Sequence, residues 1–190
     1  MIDPTAIVEA GAKVAEDATI WHFCHIMPGA EIGHRCSLGQ NVVMMPGSKL
    51  GNGCKVQNNV SLYTGVICQD DVFLGPSCVF TNVINPRAFI PRKDEYRQTL
   101  VEQGASIGAN ATILCGCTIG AYAMVGAGAV VTTNVPNYAL VYGIPARQHG
   151  WVSRWGYQLE FNPITHEATC PGSQERYRLS PDKQTIYLIE

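Results

Sequence analysis

The chain has 190 residues, 46% of them hydrophobic, and a formal net charge of −2 at pH 7. This length and apolar content suit one folded domain with a small appendage. The slightly acidic balance argues against a nucleic-acid-binding protein, and no run of 18 apolar residues predicts a membrane span. Because the first residues lack a basic segment followed by an apolar one, we expect a cytoplasmic protein.

An apolar residue recurs at every sixth position through most of the first 131 residues. The series comprises fourteen positions and, after a break, six more: Ile2, Val8, Val14, Ile20, Ile26, Ile32, Leu38, Met44, Leu50, Val56, Leu62, Cys68, Leu74, Phe80, then Val101, Ile107, Ile113, Ile119, Val125, Val131. A smaller residue, often Ala, Cys or Val, stands four positions after most of these. A period of six fits neither an α-helix nor a sandwich strand. The pattern predicts an all-β fold, a parallel β-helix with three hexads per coil and between six and seven coils.

The eight cysteines do not form the pattern of a disulfide framework. Six of them occupy interior positions of the repeat, where they are expected to be small buried hydrophobes: Cys24, Cys36, Cys54, Cys68, Cys78, Cys117. Cys115 and Cys170 fall outside these positions. Since no second Cys-x-x-Cys accompanies Cys170, no metal site is predicted there.

The break in the repeat predicts a loop over residues 82–100 that is extruded from the β-helix. Four of the thirteen Lys and Arg residues lie in it: Arg87, Arg92, Lys93, Arg97. Their charges could not be satisfied in the interior. A charged loop on a rigid scaffold is typical of a ligand site, and Arg is suited to phosphate or carboxylate. A solvated loop without a role is the alternative.

We expect a β-helix domain over residues 1–150 and a C-terminal extension over residues 151–190. Trp151 and Trp155 could cap the end of the β-helix, which otherwise leaves a strand edge open. Two alternating stretches, 174–179 and 184–189, predict a hairpin around Ser180–Lys183.

The stretch Val125-Gly126-Ala127-Gly128-Ala129-Val130-Val131, followed by Gly143-Ile144-Pro145-Ala146-Arg147, resembles the left-handed β-helix acyltransferases. The resemblance covers about residues 2 to 150 and by itself implies the left hand, since ordinary crossover rules favour the right hand. The segments 21–26 (WHFCHI), 38–42 (LGQNV), 57–61 (QNNVS), 79–87 (VFTNVINPR) and 150–154 (GWVSR) are similar to the sugar N-acetyltransferases of lipopolysaccharide synthesis.

That resemblance implies acetyl-CoA as co-substrate and a UDP-linked amino sugar as acceptor. Among these enzymes the chain looks most like those that acetylate the 3-amine of UDP-2-acetamido-3-amino-2,3-dideoxyglucuronate for O antigens. It also implies a homotrimer with sites between subunits. No nucleic acid, membrane or metal is expected to take part.

Asn82 is the candidate catalytic residue, because it matches the Phe-Thr-Asn motif and the resemblance places that Asn in the catalytic position. Its side-chain oxygen can accept a hydrogen bond from the sugar amine and orient the nitrogen lone pair toward the thioester. The structural alternative is an Asn that closes a coil corner in the left-handed region. The candidate substrate-binding residues are Arg87, Arg92, Tyr63 and Asn58, and the candidate CoA-binding residues are Ala105, Ala123, Ala127 and Arg147.

Three other functions are considered. An O-acetyltransferase would use a histidine base, for which His22, His25 and His34 are available, although surface or interface roles are favoured for them. A zinc enzyme of the γ-carbonic anhydrase kind would need a His-x-x-x-x-His pair that the chain lacks. A non-catalytic β-solenoid would not need the Arg-rich loop or the Pro-Ala-Arg ending.

Overall fold

The computed structural model describes residues 1–189, and within them short strands wind into a three-faced parallel β-helix. Face 1 contains β1 (Ile7–Val8), β4 (His25–Ile26), β7 (Val43–Met44), β10 (Ser61–Leu62), β13 (Val79–Phe80), β16 (Thr112–Ile113) and β19 (Val130–Val131). Face 2 contains β2 (Lys13–Val14), β5 (Glu31–Ile32), β8 (Lys49–Leu50), β11 (Val66–Cys68), β14 (Thr99–Val101) and β17 (Thr118–Ile119). Face 3 contains β3 (Thr19–Ile20), β6 (Ser37–Leu38), β9 (Lys55–Val56), β12 (Phe73–Leu74), β15 (Ser106–Ile107), β18 (Met124–Val125), β20 (Ala139–Tyr142) and β21 (Arg147–Trp151).

The hexads are confirmed as the units of this architecture. From Val8 to Val131, the apolar first residue of each hexad is the last residue of a strand, and Ile2 forms a parallel bridge to Ile20. Paired residues normally lie one coil of three hexads apart, as Leu50 and Cys68 do. Because each coil has the same geometry, equivalent residues of successive coils stack on one another. The six-residue period of the sequence therefore repeats along the fold.

The core is a continuous apolar column along the axis of the β-helix. From Ile20 to Val131 the hexad residues are at most 4% exposed. Burying an aliphatic side chain of this size contributes about 1.5–3 kcal/mol, before the entropic cost of ordering it. The first coil is less protected, since Ile2 is 49% exposed and Val8 and Val14 are only partly buried.

All eight cysteines are free and buried. The six assigned to interior positions lie there as predicted, and burial raises the pKa of Cys78 to about 12. Cys115 and Cys170 are also buried, at 3% and 0% exposed. The hexad pattern does not reveal their burial, because other parts of the fold cover them.

The last coil departs from the hexad period. Ile119 bridges Val135, and Val125 pairs with Val141, so this coil is two residues shorter than those below it. Strand β20 therefore extends face 3 out of phase with the earlier repeat. Strand β21 then turns back and pairs antiparallel with β20, whereas the other strand pairs of the three faces are parallel.

A small antiparallel sheet follows, formed by β22 (Glu167–Thr169), β23 (Arg176–Leu179) and β24 (Ile186–Leu188). The hairpin between β23 and β24 confirms the prediction for this segment. Tyr177 is fully buried, and its ring meets that of Tyr138 edge-on at 5.8 Å. Trp151 is 8% exposed and belongs to the core, whereas Trp155 is 65% exposed, so only Trp151 contributes to covering this end.

The predicted loop leaves the β-helix after β13 on face 1 and returns at β14 on face 2. Cys68 pairs with Val101, 33 residues later, instead of the usual 18. The extra residues lie outside the coil, and their one regular element is a 3₁₀ turn at Lys93–Glu95. The corner between faces 1 and 2, called the loop corner below, thus carries the main irregularity of the scaffold.

Candidate functional site

The two ends of the loop are held together at the loop corner. The main-chain oxygen of Asn82 accepts the N–H of Arg97 at 3.0 Å. On the return path, Gln98 accepts the N–H of Gly116 at 3.1 Å, and Thr99 donates to Gly65 at 2.9 Å. The loop root is therefore hydrogen-bonded to the coils below and above it, which gives side chains at the root a defined position.

A cavity of about 230 Å³ lies between this root and the body of the loop. It is lined by Asn82, Val83, Pro86, Arg87, Ile90, Pro91, Arg92, Lys93 and Tyr96. The structure thus brings together three residues that the sequence singled out separately: Asn82, Arg87 and Arg92. We call this space the loop cavity.

The loop cavity is rich in cations, but they are not equivalent. Arg92 directs one Nη toward both carboxylate oxygens of Glu95, at 2.7 and 2.9 Å. Arg87 donates only to the main-chain oxygen of Pro86, at 3.0 Å. Within residues 1–189, neither Arg87 nor Lys93 forms an ion pair. Two cations at the loop cavity are therefore available to an anionic group of a ligand.

Tyr63 lies at the loop corner one coil below Thr81, and it lines a separate cavity of about 170 Å³ with Asn59, Ser61 and Val79. Asn58 lies at a different corner, between faces 3 and 1. Its side-chain oxygen accepts the N–H of Gln40 at 2.9 Å, which is a structural contact between coils. The structure does not bring Asn58 into the loop cavity.

Asn59 and Ser61 were not identified from the sequence as lining a cavity. Asn59 adopts a positive φ of 61° and accepts a hydrogen bond from Asn41, so it closes a coil corner in the left-handed region. The alternation of side chains along strand β10 indicates in retrospect that Ser61 faces outward, because Leu62 faces inward.

The candidate CoA-binding residues divide into interior and surface positions. Ala105 and Ala123 are 0% and 1% exposed, and their N–H and C=O groups are already used in hydrogen bonds between and within coils. They lie outside the cavities described here. Ala127 is exposed and lines an apolar cavity of about 390 Å³ on face 3, together with Phe73, Met124 and Gly108.

Arg147 lies at the start of β21, beside the largest of these cavities, of about 450 Å³. This space lies between residues 131–136, which lead from β19 toward β20, and the start of β21. Arg147 is exposed and donates to the main-chain oxygen of Ala146 at 2.9 Å. Nearby, the rings of Tyr142 and His149 stack at 3.7 Å.

The three histidines considered as bases are each paired with a carboxylate of the first coil. His22 lies 2.9 Å from Asp3, His25 lies 2.6 Å from Glu9, and His34 lies 3.2 Å from Asp17. These pairs join the first coil to the second, and none of the three histidines lines the loop cavity. Among residues 1–189, no cluster of three metal-binding side chains is found, and no helix has the length and apolarity that crossing a membrane requires.

Comparison with known proteins agrees with this architecture. Residues 11–46 and 98–133 match the family described as bacterial transferase hexapeptide (six repeats), and residues 29–64 match the hexapeptide repeat of succinyl-transferase. A hexapeptide transferase family protein from Anaplasma phagocytophilum has the same fold, with a TM-score of 0.57 and 20% identity over 78% of this chain and 80% of that chain.

Two curated relatives are enzymes. The dTDP-3-amino-3,6-dideoxy-alpha-D-galactopyranose 3-N-acetyltransferase of Aneurinibacillus thermoaerophilus is 42% identical over 93% of this chain and 90% of its own length. The 2,3,4,5-tetrahydropyridine-2,6-dicarboxylate N-acetyltransferase of Staphylococcus aureus (strain JH9) is 40% identical over 40% of this chain and 29% of its own length. With a near full-length relative at this identity, matching repeats and the same fold, the chain belongs to the hexapeptide-repeat acyltransferases.

Proposed function

We propose that this acyltransferase uses acetyl-CoA to acetylate the 3-amine of a nucleotide-linked amino sugar. The observation that carries the proposal is the loop cavity, which groups Asn82 with Arg87 and Arg92. The 42% identical relative, a 3-N-acetyltransferase of a dTDP-linked 3-amino sugar, supports the same chemistry. An uncharged hydrogen-bond acceptor beside cations is what a neutral amine on an anionic substrate requires.

In the proposed reaction, the side-chain oxygen of Asn82 accepts an N–H of the neutral sugar amine. This contact directs the nitrogen lone pair at the thioester carbonyl carbon. The N–C bond forms, the C–S bond breaks, and the thiolate of CoA leaves while the amine nitrogen loses a proton to water. A strong protein base is not required, because a sugar amine flanked by electron-withdrawing oxygens gives up its proton more readily than a lysine does.

Acetyl-CoA is proposed to lie across face 3 toward the last coil. The apolar cavity beside Ala127 and Gly126 suits the pantetheine arm, because small residues allow close approach to the backbone. Arg147, beside the 450 Å³ cavity, is proposed to bind a phosphate of CoA. Ala105 and Ala123 are buried and do not line this cavity, and a contact between their main chain and CoA stays a prediction.

The identity of the sugar is the finer part of the proposal. Arg87 and Lys93, which form no ion pair within residues 1–189, favour an acceptor with an additional anionic group. UDP-2-acetamido-3-amino-2,3-dideoxyglucuronate, a precursor for O antigens, has such a carboxylate and is the acceptor we propose first. The relative's dTDP-linked dideoxy sugar is the competing acceptor. In either case Arg87 or Arg92 also suits the pyrophosphate.

We further propose a homotrimer with sites between neighbouring subunits, acting in the cytoplasm, where acetyl-CoA is supplied. Face 1 supports association, because apolar residues point outward along it. Ile7 is 58% exposed and Val79 is 48% exposed, and Val43 and Val130 occupy the same outward column. Along the column these residues alternate with His25, Ser61 and Thr112, a mixture of apolar and polar groups that protein interfaces commonly contain.

The test is a thiol-release assay with acetyl-CoA and both 3-amino sugars, comparing wild type with Asn82→Ala. Asn85→Ala, an exposed Asn of the same loop that does not line the loop cavity, is the matched control. We expect Asn82→Ala to lower kcat about 100-fold, as for loss of a group that orients the reactants, and Asn85→Ala to leave it unchanged.

Other outcomes point to other functions. Turnover that survives Asn82→Ala but is lost in His25→Ala would indicate an O-acetyltransferase-like mechanism with a histidine base. Release of thiol only with hydroxyl acceptors would reject N-acetylation. Absence of acetyl-CoA binding, measured by calorimetry, would leave the non-catalytic β-solenoid.

A further inference from the structure

Thr81 is the last residue before the loop. Its side chain forms a hydrogen bond to the coil above that the equivalent residues of the lower coils cannot form. Its hydroxyl oxygen accepts the main-chain N–H of Cys115 at 2.9 Å, and its own N–H donates to Ile113 at 3.1 Å. In the coils below, the residues in register with Thr81 are Met27, Met45 and Tyr63. Their side chains offer no hydroxyl next to the main chain.

The contact satisfies a donor that would otherwise be buried. Cys115 is 3% exposed. At the same corner of two lower coils, the residues in register with Cys115 are Pro28 and Pro46. Proline has no N–H, so no buried donor has to be satisfied there. Leaving such a buried N–H without an acceptor costs about 1–3 kcal/mol. The hydroxyl of Thr81 therefore holds the start of the loop against the coil above it.

Asn82 follows immediately and is fixed on its other side by the hydrogen bond from Arg97 to its main-chain oxygen. Its main chain thus lies between two hydrogen bonds, one made by the preceding side chain and one closing the loop. Asn82 lies outside the strands, so no ladder of a sheet positions it. The bond between Thr81 and Cys115 is a side-chain hydrogen bond that ties the residue before Asn82 to the coil above.

We propose that Thr81 is a positioning residue, whose hydroxyl sets the place of the Asn82 amide through the N–H of Cys115. This inference rests on the proposed function, in which Asn82 orients the acceptor amine. Thr81 has no role in binding acetyl-CoA or the nucleotide. Because a displacement of about 1 Å in a reacting group can lower a rate about 100-fold, removal of the hydroxyl lowers kcat and leaves both KM values nearly unchanged.

The experiment compares Thr81→Val, Thr81→Ser, Asn82→Ala and the double variant Thr81→Val/Asn82→Ala in steady-state kinetics and thermal melting. Thr19→Val, a half-buried threonine on the outer side of face 3, is the matched control. We expect Thr81→Val to lower kcat about 10-fold with each KM within about twofold of wild type. Thr81→Ser, which keeps the acceptor, retains most of the activity.

The double variant separates positioning from general destabilisation. If Thr81 acts through Asn82, adding Thr81→Val to Asn82→Ala changes kcat by less than about twofold, although Tm still falls. A full multiplicative loss in the double variant, or a Thr81→Val enzyme as active as wild type, overturns the proposal. If Thr81→Val does not fold, Thr81→Ala carries the same comparison.

The two hypotheses fail in different ways. Absence of wild-type turnover with every amine rejects the proposed function. Normal wild-type turnover, a strong effect of Asn82→Ala and none of Thr81→Val rejects only the positioning role of Thr81.

Discussion

The main-chain oxygen of Asn82 accepts the N–H of Arg97 at 3.0 Å, closing the loop at its root. Beyond this point the loop is open, and Phe89 near its tip is 81% exposed. The root is thus tied to the β-helix by hydrogen bonds, whereas the Phe89 side chain points into solvent. The roles proposed for Asn82 at the root and for Arg87 and Lys93 farther along the loop fit this division.

Arg147→Ala is expected to weaken the use of acetyl-CoA. A charge-assisted hydrogen bond to phosphate is worth about 1.5–3 kcal/mol, so KM for acetyl-CoA should rise at least about 10-fold with kcat little changed. The measurement is steady-state kinetics with acetyl-CoA and with acetyl-dephospho-CoA. If Arg147 binds the 3′-phosphate, the variant and wild type use the dephospho compound equally well, and an equal loss with both compounds would place Arg147 elsewhere.

Gly108→Ala and Gly128→Ala should differ strongly in stability. A Cβ at Gly108 would collide with the main-chain nitrogen of Ala127 on the next coil, and the backbone there cannot move without breaking the ladder. We expect a loss of about 3 kcal/mol or failure to fold. Gly128 has a φ of +68° and nothing within 4 Å of a new Cβ, so its cost is about 1 kcal/mol of backbone strain. Urea unfolding measures both, and equal losses would contradict the close approach at Gly108.

Thr99→Val is expected to stabilise the protein. Thr99 is 0% exposed at the start of β14, and its hydroxyl oxygen has no hydrogen-bond partner within residues 1–189. Replacing an unsatisfied buried hydroxyl with a methyl group removes a desolvation cost of about 1 kcal/mol, which raises Tm by about 2–4 °C in a chain of this size. Calorimetry provides the measurement, with Thr112→Val as the half-buried control. A lower Tm would mean that the hydroxyl is paired in solution.

Asp17 should contribute to stability in a pH-dependent way. The N–H of Arg35, donating to its carboxylate at 3.0 Å, holds its pKa below the usual 3.8, and the nearby His34 adds to the effect. A carboxylate whose pKa is lower in the folded than in the unfolded protein stabilises the fold at pH values above its unfolded pKa. This stabilisation is lost as the pH falls through the folded pKa. The Tm loss caused by Asp17→Asn should therefore be larger at pH 6 than at pH 2.5.

The control for Asp17 is Glu160→Gln, an exposed carboxylate near the C-terminal sheet. Its difference from wild type should be small at both pH values. A Tm difference for Asp17→Asn that stays constant from pH 6 to pH 2.5 would show that the ionised carboxylate is not the stabilising form.

The β-helix and its interior were predictable from the sequence, because the period of six repeats the same local geometry at each turn. Val8 and Val131 lie 123 residues apart, yet each ends a strand by the same rule. The loop was predictable because Arg87 and Arg92 could not be placed inside the core. The hairpin of β23 and β24 followed from alternation on either side of a turn.

The roles of particular surface residues depended on the tertiary structure. Asn58 and Asn59 are neighbours in the sequence, but one accepts a backbone N–H from the coil below and the other lines a cavity. Ala123 and Ala127 both stand in a small-residue stretch, yet one is buried and the other exposed. A repeat determines which residues face inward, because that is a local periodicity. Cavities, and the contact between Thr81 and Cys115, arise where segments far apart in the chain meet, and only the stacking of coils and the path of the loop decide which segments those are.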